Sequence, residues 1–85
     1  MYCVSYDEGF GKKFFKTKAN AVKCALQIFN QEFNDYCEIY NNGNIEETIE
    51  EVFEDKETFE ACIEEIKAGD FEDDWVAIFE IETAD

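Results

Sequence analysis

The sequence lacks arginine, histidine and proline, and its only basic residues are seven lysines. Histidine is the side chain that most often transfers protons and binds metals near neutral pH, so its absence argues against most acid–base and zinc chemistry. Twenty-two acidic residues give the 85-residue chain a formal charge of −15. A chain of this charge repels phosphates, which excludes direct nucleic-acid binding as the first expectation.

Long apolar segments are absent too, since nowhere do eighteen apolar residues follow one another. Residues 1–8 contain neither a basic nor an apolar stretch, so we expect no standard export signal, no membrane partner and a cytoplasmic location. Hydrophobic residues nevertheless make up 46% of the chain and aromatic residues 16%. This apolar content is sufficient to order a small core, and we expect a single domain over residues 1–85.

Cysteine pairs at the spacing of zinc or redox sites are also missing. The four cysteines, Cys3, Cys24, Cys37 and Cys62, include no CxxC pair and have no histidine near them. We expect reduced thiols that pack as small apolar side chains, with a structural disulfide as the alternative.

Charge is distributed very unevenly along the chain. Residues 1–44 contain five acidic residues and five lysines, whereas residues 45–85 contain the other 17 acidic residues and two lysines. The second half therefore carries the whole net charge.

The first half predicts a β-hairpin followed by a long helix. Residues 1–6 and 12–16 have strand character and are separated by a glycine-containing turn. Thr17 is a candidate N-cap for an amphipathic helix near residues 18–35, and residues 37–40 form a candidate short strand.

The second half predicts two helices and a strand. Asn44 is a candidate cap for a helix from residue 45, and Asp55 for a second helix that Gly69 ends. The alternative makes residues 45–53 a strand paired with residues 37–41 through the Asn-Gly turn. Residues 75–82 alternate as a strand. The expected class is α+β, with a small antiparallel sheet, made of the N-terminal hairpin and the C-terminal strand, packed on two or three α-helices.

No motif in the chain indicates catalysis. Gly9 and Gly11 lack the residues that complete a phosphate or dinucleotide motif, and no cysteine has a histidine partner. The acidic residues at 70–74 could attract calcium, but the order of ligands in an EF-hand is absent. We expect a protein that is not an enzyme and that has no cofactor and no dedicated metal site.

Acidic residues occupy nearly every outward position of the predicted helices in the second half, and others cluster in the loop before the last strand. Carboxylates one helical turn apart lie about 6 Å from each other, near the phosphate spacing of one nucleic-acid strand. The candidate partner-binding residues are Glu46, Glu47, Glu50, Glu51, Glu54, Asp55, Glu57, Glu60, Glu64, Asp70, Glu72, Asp73 and Asp74.

Two functions fit this acidic surface. It can imitate nucleic-acid charge and bind a basic groove, with Phe10, Phe71 and Trp75 as aromatic contacts, or it can serve solubility alone, with those aromatic residues in ordinary packing. A third reading, from a different class, is an interaction module such as an antitoxin or a small assembly subunit, which uses the apolar helix stripe and exposed aromatic residues on a protein partner.

The chain as a whole resembles the small phage-encoded anti-CRISPR and anti-restriction proteins that act as DNA mimics. Its size, its acidity, its lysine-only basic residues and pairs such as Glu46-Glu47, Glu50-Glu51 and Asp73-Asp74 carry the resemblance. The resemblance implies a cytoplasmic inhibitor in a host cell. It would occupy the surface with which a CRISPR effector or a restriction enzyme binds DNA or reads its protospacer-adjacent motif.

Overall fold

Four antiparallel strands form one sheet in the computed structural model, which describes residues 1–82. The strands are β1 (Tyr2–Tyr6), β2 (Gly11–Phe15), β3 (Phe71–Glu72) and β4 (Val76–Glu80), and their order in the sheet is β2-β1-β4-β3. The predicted N-terminal hairpin and C-terminal strand are confirmed, and they pair with each other through β1 and β4.

Three helices connect the hairpin to β3, and they confirm the α+β class. They are α1 (Lys18–Asn41), α2 (Ile45–Phe53) and α3 (Lys56–Lys67). Each begins after a side chain that accepts a backbone N–H from three residues ahead, and these caps are the predicted Thr17, Asn44 and Asp55. Gly69, with φ +82°, lies just beyond α3 in the left-handed conformation that was expected of it.

The predicted short strand at residues 37–40 is wrong, because α1 continues to Asn41. Cys37 is buried one turn beyond Phe33 on the same helix face, so burial favours another helical turn. Asn42 and Gly43 then take positive φ values of 52° and 84° and end the helix. The alternative strand at residues 45–53 is also wrong, because these residues form α2. The Asn-Gly pair that suggested a hairpin turn ends a helix instead, since left-handed residues occur in both.

The core lies on one side of α1. A stripe of residues four apart, Ala21, Ala25, Phe29, Phe33 and Cys37, is buried along the whole helix. Its alanines allow the helix to approach the sheet, where Val4, Val76 and Ile78 are almost fully buried. Its phenylalanines meet the ring of Phe53 from α2 and that of Phe59 from α3. Among the described residues, all three helices therefore lie on the same face of the sheet.

Candidate acidic interface

All thirteen candidate partner-binding residues are exposed. In α2, Thr48 and Phe53 are buried and Ile49 and Val52 are half-buried, which turns the acidic residues of that helix toward solvent. In α3, Ile66 is buried and Phe59 and Ile63 are half-buried. The amphipathic pattern of each helix thus produces one carboxylate stripe, as the sequence predicted.

The lysines of the N-terminal half do not neutralise these stripes. Within residues 1–82, ion pairs occur only inside α3, where Lys56 Nζ lies 3.9 Å from Glu60 Oε1 and Lys67 Nζ lies 3.5 Å from Glu64 Oε1. Both pairs are well exposed and contribute little stability. The negative potential of the helices is therefore left largely uncompensated.

Four of the carboxylates meet where α2 joins α3. Glu46, Glu50, Glu54 and Asp55 line a shallow depression of about 320 Å³ together with Ile49 and Lys56. The link reverses the chain at Glu54, whose φ is +73°. The carboxylate of Asp55 accepts the backbone N–H of Thr58 at 2.7 Å, and this hydrogen bond lowers the pKa of Asp55 below its ordinary value.

A second acidic group joins the two turns at one end of the sheet. Glu72, Asp73 and Asp74 line a depression of about 420 Å³ with Glu8 of the hairpin turn. Tyr6 lies opposite Val76 in the sheet, and this pairing brings the two turns together. Glu8 was not among the predicted residues, because the only signal for it is the β1–β4 pairing, which residue patterns did not specify.

The second acidic group extends further along the surface. Asp7, Glu8, Glu32 and Asp74 surround the exposed edge of Trp75 in a neighbouring depression of about 270 Å³. The acidic surface therefore includes residues from the half of the chain that is neutral overall.

Asp70 lies apart from the other acidic residues of its loop. It lines a different depression, beside Tyr2, Gly69, Phe79 and Glu80. The loop predicted as one acidic cluster is thus divided, because Phe71 is buried in the core between Asp70 and Glu72.

The second acidic group also lies near α3, since the charge of Asp73 acts on Cys62 of that helix. Partial burial raises the pKa of the Cys62 thiol, and the charges of Asp73 and Glu65 raise it further. Asp73 is thus close enough to shift the ionisation of a side chain on α3, the helix that carries Glu57, Glu60 and Glu64. All four cysteines are free thiols, as expected.

Of the three aromatic residues considered as surface contacts, one is exposed as expected, one is half-buried and one is buried. Phe71 is buried and is not a surface contact, whereas Phe10 is 87% exposed at the hairpin turn. Trp75 is half-buried, and its ring packs against Phe29 and Phe53 as well as against Tyr36. Core packing therefore accounts for Phe71 and for much of Trp75.

Two tyrosines that the sequence analysis did not select lie beside the acidic residues. The rings of Tyr36 and Tyr40 lie 4.6 Å apart, and Tyr36 Oη donates a hydrogen bond of 2.7 Å to Glu51 Oε1. This bond raises the pKa of Tyr36, because an ionised phenol could no longer donate to the carboxylate. Tyr40 was missed because it was assigned to a strand.

No group of three or more metal-ligating side chains is placed to hold an ion in the part of the chain that the structure describes. Nor does any helix within residues 1–82 have the length and hydropathy needed to cross a bilayer. Comparison with protein-family models, curated proteins and solved structures finds no match to the chain.

Proposed function

We propose that the protein is a non-enzymatic inhibitor that imitates nucleic-acid charge and occupies a basic DNA- or RNA-binding surface of a host defence protein, either a CRISPR effector or a restriction enzyme. The observation that carries the proposal is the exposure of all thirteen candidate carboxylates, together with the absence, within residues 1–82, of ion pairs between them and the five N-terminal lysines. The size, acidity and lysine-only basic residues of the chain, which resemble those of DNA-mimic inhibitors, support a CRISPR effector or a restriction enzyme as the target.

The distribution of charge around the molecule supports the proposal. The acidic stripes are on α2 and α3, which cover the buried side of α1. The opposite side of α1 presents mainly amide side chains such as Gln27, Asn30 and Asn34. A directional charge of this kind steers and orients a protein on a basic groove, whereas solubility alone requires no direction.

The energetic cost of placing like charges close together also supports the proposal. Carboxylates four residues apart on a helix, such as Glu46 and Glu50, repel each other by a few tenths of a kcal/mol per pair. Replacing some of them with lysine would remove that cost and leave the fold unchanged. Binding to a cationic partner gives a reason for the arrangement.

Tyr36 and Tyr40 can add contacts that phosphates do not offer. The two rings lie next to Glu51, and Tyr40 is 66% exposed. Arginine and lysine side chains, which line nucleic-acid-binding clefts, bind aromatic faces as well as carboxylates.

The experiment is competition with DNA for a partner captured from host lysate. We expect the captured protein to bind nucleic acid, to be displaced by added duplex DNA and to lose affinity steeply between low and high salt. Glu50→Lys with Glu54→Lys should abolish inhibition. The matched control, Asp35→Lys with Glu38→Lys on the far side of α1, changes the net charge equally and should retain most of it.

Retained inhibition in the Glu50/Glu54 variant, with the fold intact by circular dichroism, would contradict the proposal. Equal loss of inhibition in both double variants would show that the acidic residues act through net charge alone.

An interaction module remains the second candidate, and one surface favours it. Ile39, Tyr40 and Ile45 are between 56% and 71% exposed where α1 ends and α2 begins. The rest of the apolar stripe of α2 and α3 packs against the core, where Ile66 is buried and Ile49 and Phe59 are half-buried. An interaction module predicts a partner that stays bound at high salt and that added DNA does not displace. Loss of binding of that partner in Tyr40→Ser would favour this candidate.

A further inference from the structure

A pair of tyrosine rings near the end of α1 is anchored to the core on one side and open on the other. Tyr36 and Tyr40 are one helical turn apart, with ring centroids 4.6 Å from each other. On its other side, Tyr36 lies 6.1 Å from Trp75, whose ring packs against Phe29 and Phe53. Tyr36 is half-buried, whereas Tyr40 is 66% exposed. The ring of Tyr40 is therefore supported by the core and accessible to a partner.

A carboxylate from a different helix is held beside this pair. Tyr36 Oη donates a hydrogen bond of 2.7 Å to Oε1 of Glu51, which lies on α2. An ionised carboxylate has about four lone-pair sites, so this bond leaves Glu51 able to accept further donors. Because Tyr36 contacts both Tyr40 and Glu51, an aromatic ring and a carboxylate are placed on either side of one fixed side chain.

We propose that Tyr40 and Glu51 form a binding site for an arginine side chain of the basic partner. The guanidinium stacks on the open side of the Tyr40 ring, and its N–H groups donate to the Glu51 carboxylate. The inference rests on the proposed function, because it specifies a side chain of the basic partner that the acidic surface binds. It adds to charge mimicry an aromatic contact that a phosphate does not offer.

The pairing of a ring with a carboxylate favours arginine over lysine. A guanidinium is planar and weakly hydrated, so it can stack on a ring and present a fork of donors to a carboxylate at the same time. An ammonium is a compact charge that holds its water strongly, and an exposed ring replaces little of that water. Charge complementarity acts in the same direction for any cationic side chain, since the chain carries −15. Selectivity for arginine is thus the property that separates this site from the general acidic surface.

The test uses capped hexa-arginine and hexa-lysine peptides, which have equal charge, titrated into the full chain at an ionic strength of about 0.15 M. We expect the arginine peptide to bind more tightly and to shift the NMR signals of the Tyr40 ring protons. Tyr40→Leu should lower the affinity for the arginine peptide about two- to fivefold and leave that for the lysine peptide unchanged. The matched control is Phe14→Leu, which removes a ring that is 58% exposed on β2 and should alter neither affinity.

A second pair of variants tests the carboxylate. Glu51→Gln keeps an oxygen that can accept the Tyr36 hydroxyl but loses the charge, and it should weaken the arginine peptide more than the lysine peptide. Glu38→Gln removes the same charge elsewhere on α1 and should affect the two peptides equally. Circular dichroism verifies the fold of each variant.

Equal affinity of the wild-type chain for the two peptides would overturn the inference. So would a Tyr40→Leu variant that loses both peptides to the same extent, or an equal loss in Phe14→Leu. Competition with DNA judges the proposed function separately. A chain that prefers arginine through Tyr40 but whose partner is not displaced by DNA would contradict that function and uphold the arginine site.

Discussion

Asp55 is the residue whose ionisation is tied most directly to local structure. Its carboxylate accepts the backbone N–H of Thr58 at the start of α3, and this bond lowers its pKa. A carboxyl whose pKa is lower in the folded state stabilises the fold above its unfolded pKa of about 3.9 and loses that contribution as pH falls through the folded value. The cap of α3 is therefore sensitive to acid.

Replacing Asp55 with asparagine tests this linkage. Asparagine caps helices as well as aspartate does but has no proton to gain. We expect the wild-type chain to have a higher Tm than Asp55→Asn at neutral pH, and the difference to shrink as pH falls below about 4. Thermal unfolding followed by circular dichroism at several pH values measures it. A difference that is constant with pH, or that grows in acid, would contradict the assignment.

At the scale of elements, α1 holds the molecule together through Phe29. Its ring lies 5.7 to 6.0 Å from those of Phe53, Phe59, Phe71 and Trp75. These partners come from α2, α3, β3 and the turn before β4, so one side chain joins both helices to the second half of the sheet. Phe29 itself has no exposed surface.

Truncating Phe29 should therefore loosen all these elements together. We expect Phe29→Ala to lower the free energy of unfolding by about 3–5 kcal/mol through lost burial and the cavity that remains. Urea unfolding followed by tryptophan fluorescence and by circular dichroism measures it. Phe10→Ala, at the exposed hairpin turn, is the matched control and should change stability by less than about 0.5 kcal/mol. Similar losses in the two variants would show that Phe29 does not hold the core.

The elements also show which predictions a single sequence supports. The caps at Thr17, Asn44 and Asp55 were predicted correctly because each is a contact over three residues. The end of α1 was not, since the Asn42-Gly43 pair fits both a helix end and a hairpin, and the burial of Cys37 decides between them. Strand β3 has two residues and exists only through its pairing with β4, which leaves no periodic pattern.

The candidate site was likewise predictable only where it depends on local sequence. Exposure of the helix carboxylates follows from local amphipathic spacing, and all of those predicted are exposed. The grouping of Glu8 and Glu32 with Asp74 depends on long-range pairing and packing, which residue patterns did not specify. The burial of Phe71 was not evident either, because its position beside acidic residues suggested a loop.

For the whole molecule, the balance of charge sets how stability responds to salt. Like charges lie four residues apart at several places on α2 and α3, and within residues 1–82 only two exposed ion pairs oppose them. Repulsion reaches about 30 Å at 0.01 M salt and only a few ångströms at 1 M. Adding salt therefore screens much more repulsion than attraction.

We accordingly expect the Tm to rise when sodium chloride is increased from about 0.01 M to about 0.5 M. The variant Glu46→Gln with Glu50→Gln removes carboxylates from the crowded link between α2 and α3 and should have a higher Tm at low salt and a smaller rise. The matched control, Asp35→Asn with Glu38→Gln, removes the same charge from the less acidic side of α1 and should keep more of the salt dependence. A Tm that falls with salt would mean that ion pairs outweigh repulsion. Equal slopes in the two variants would mean that the carboxylates act through net charge and not through their grouping on one side of the fold.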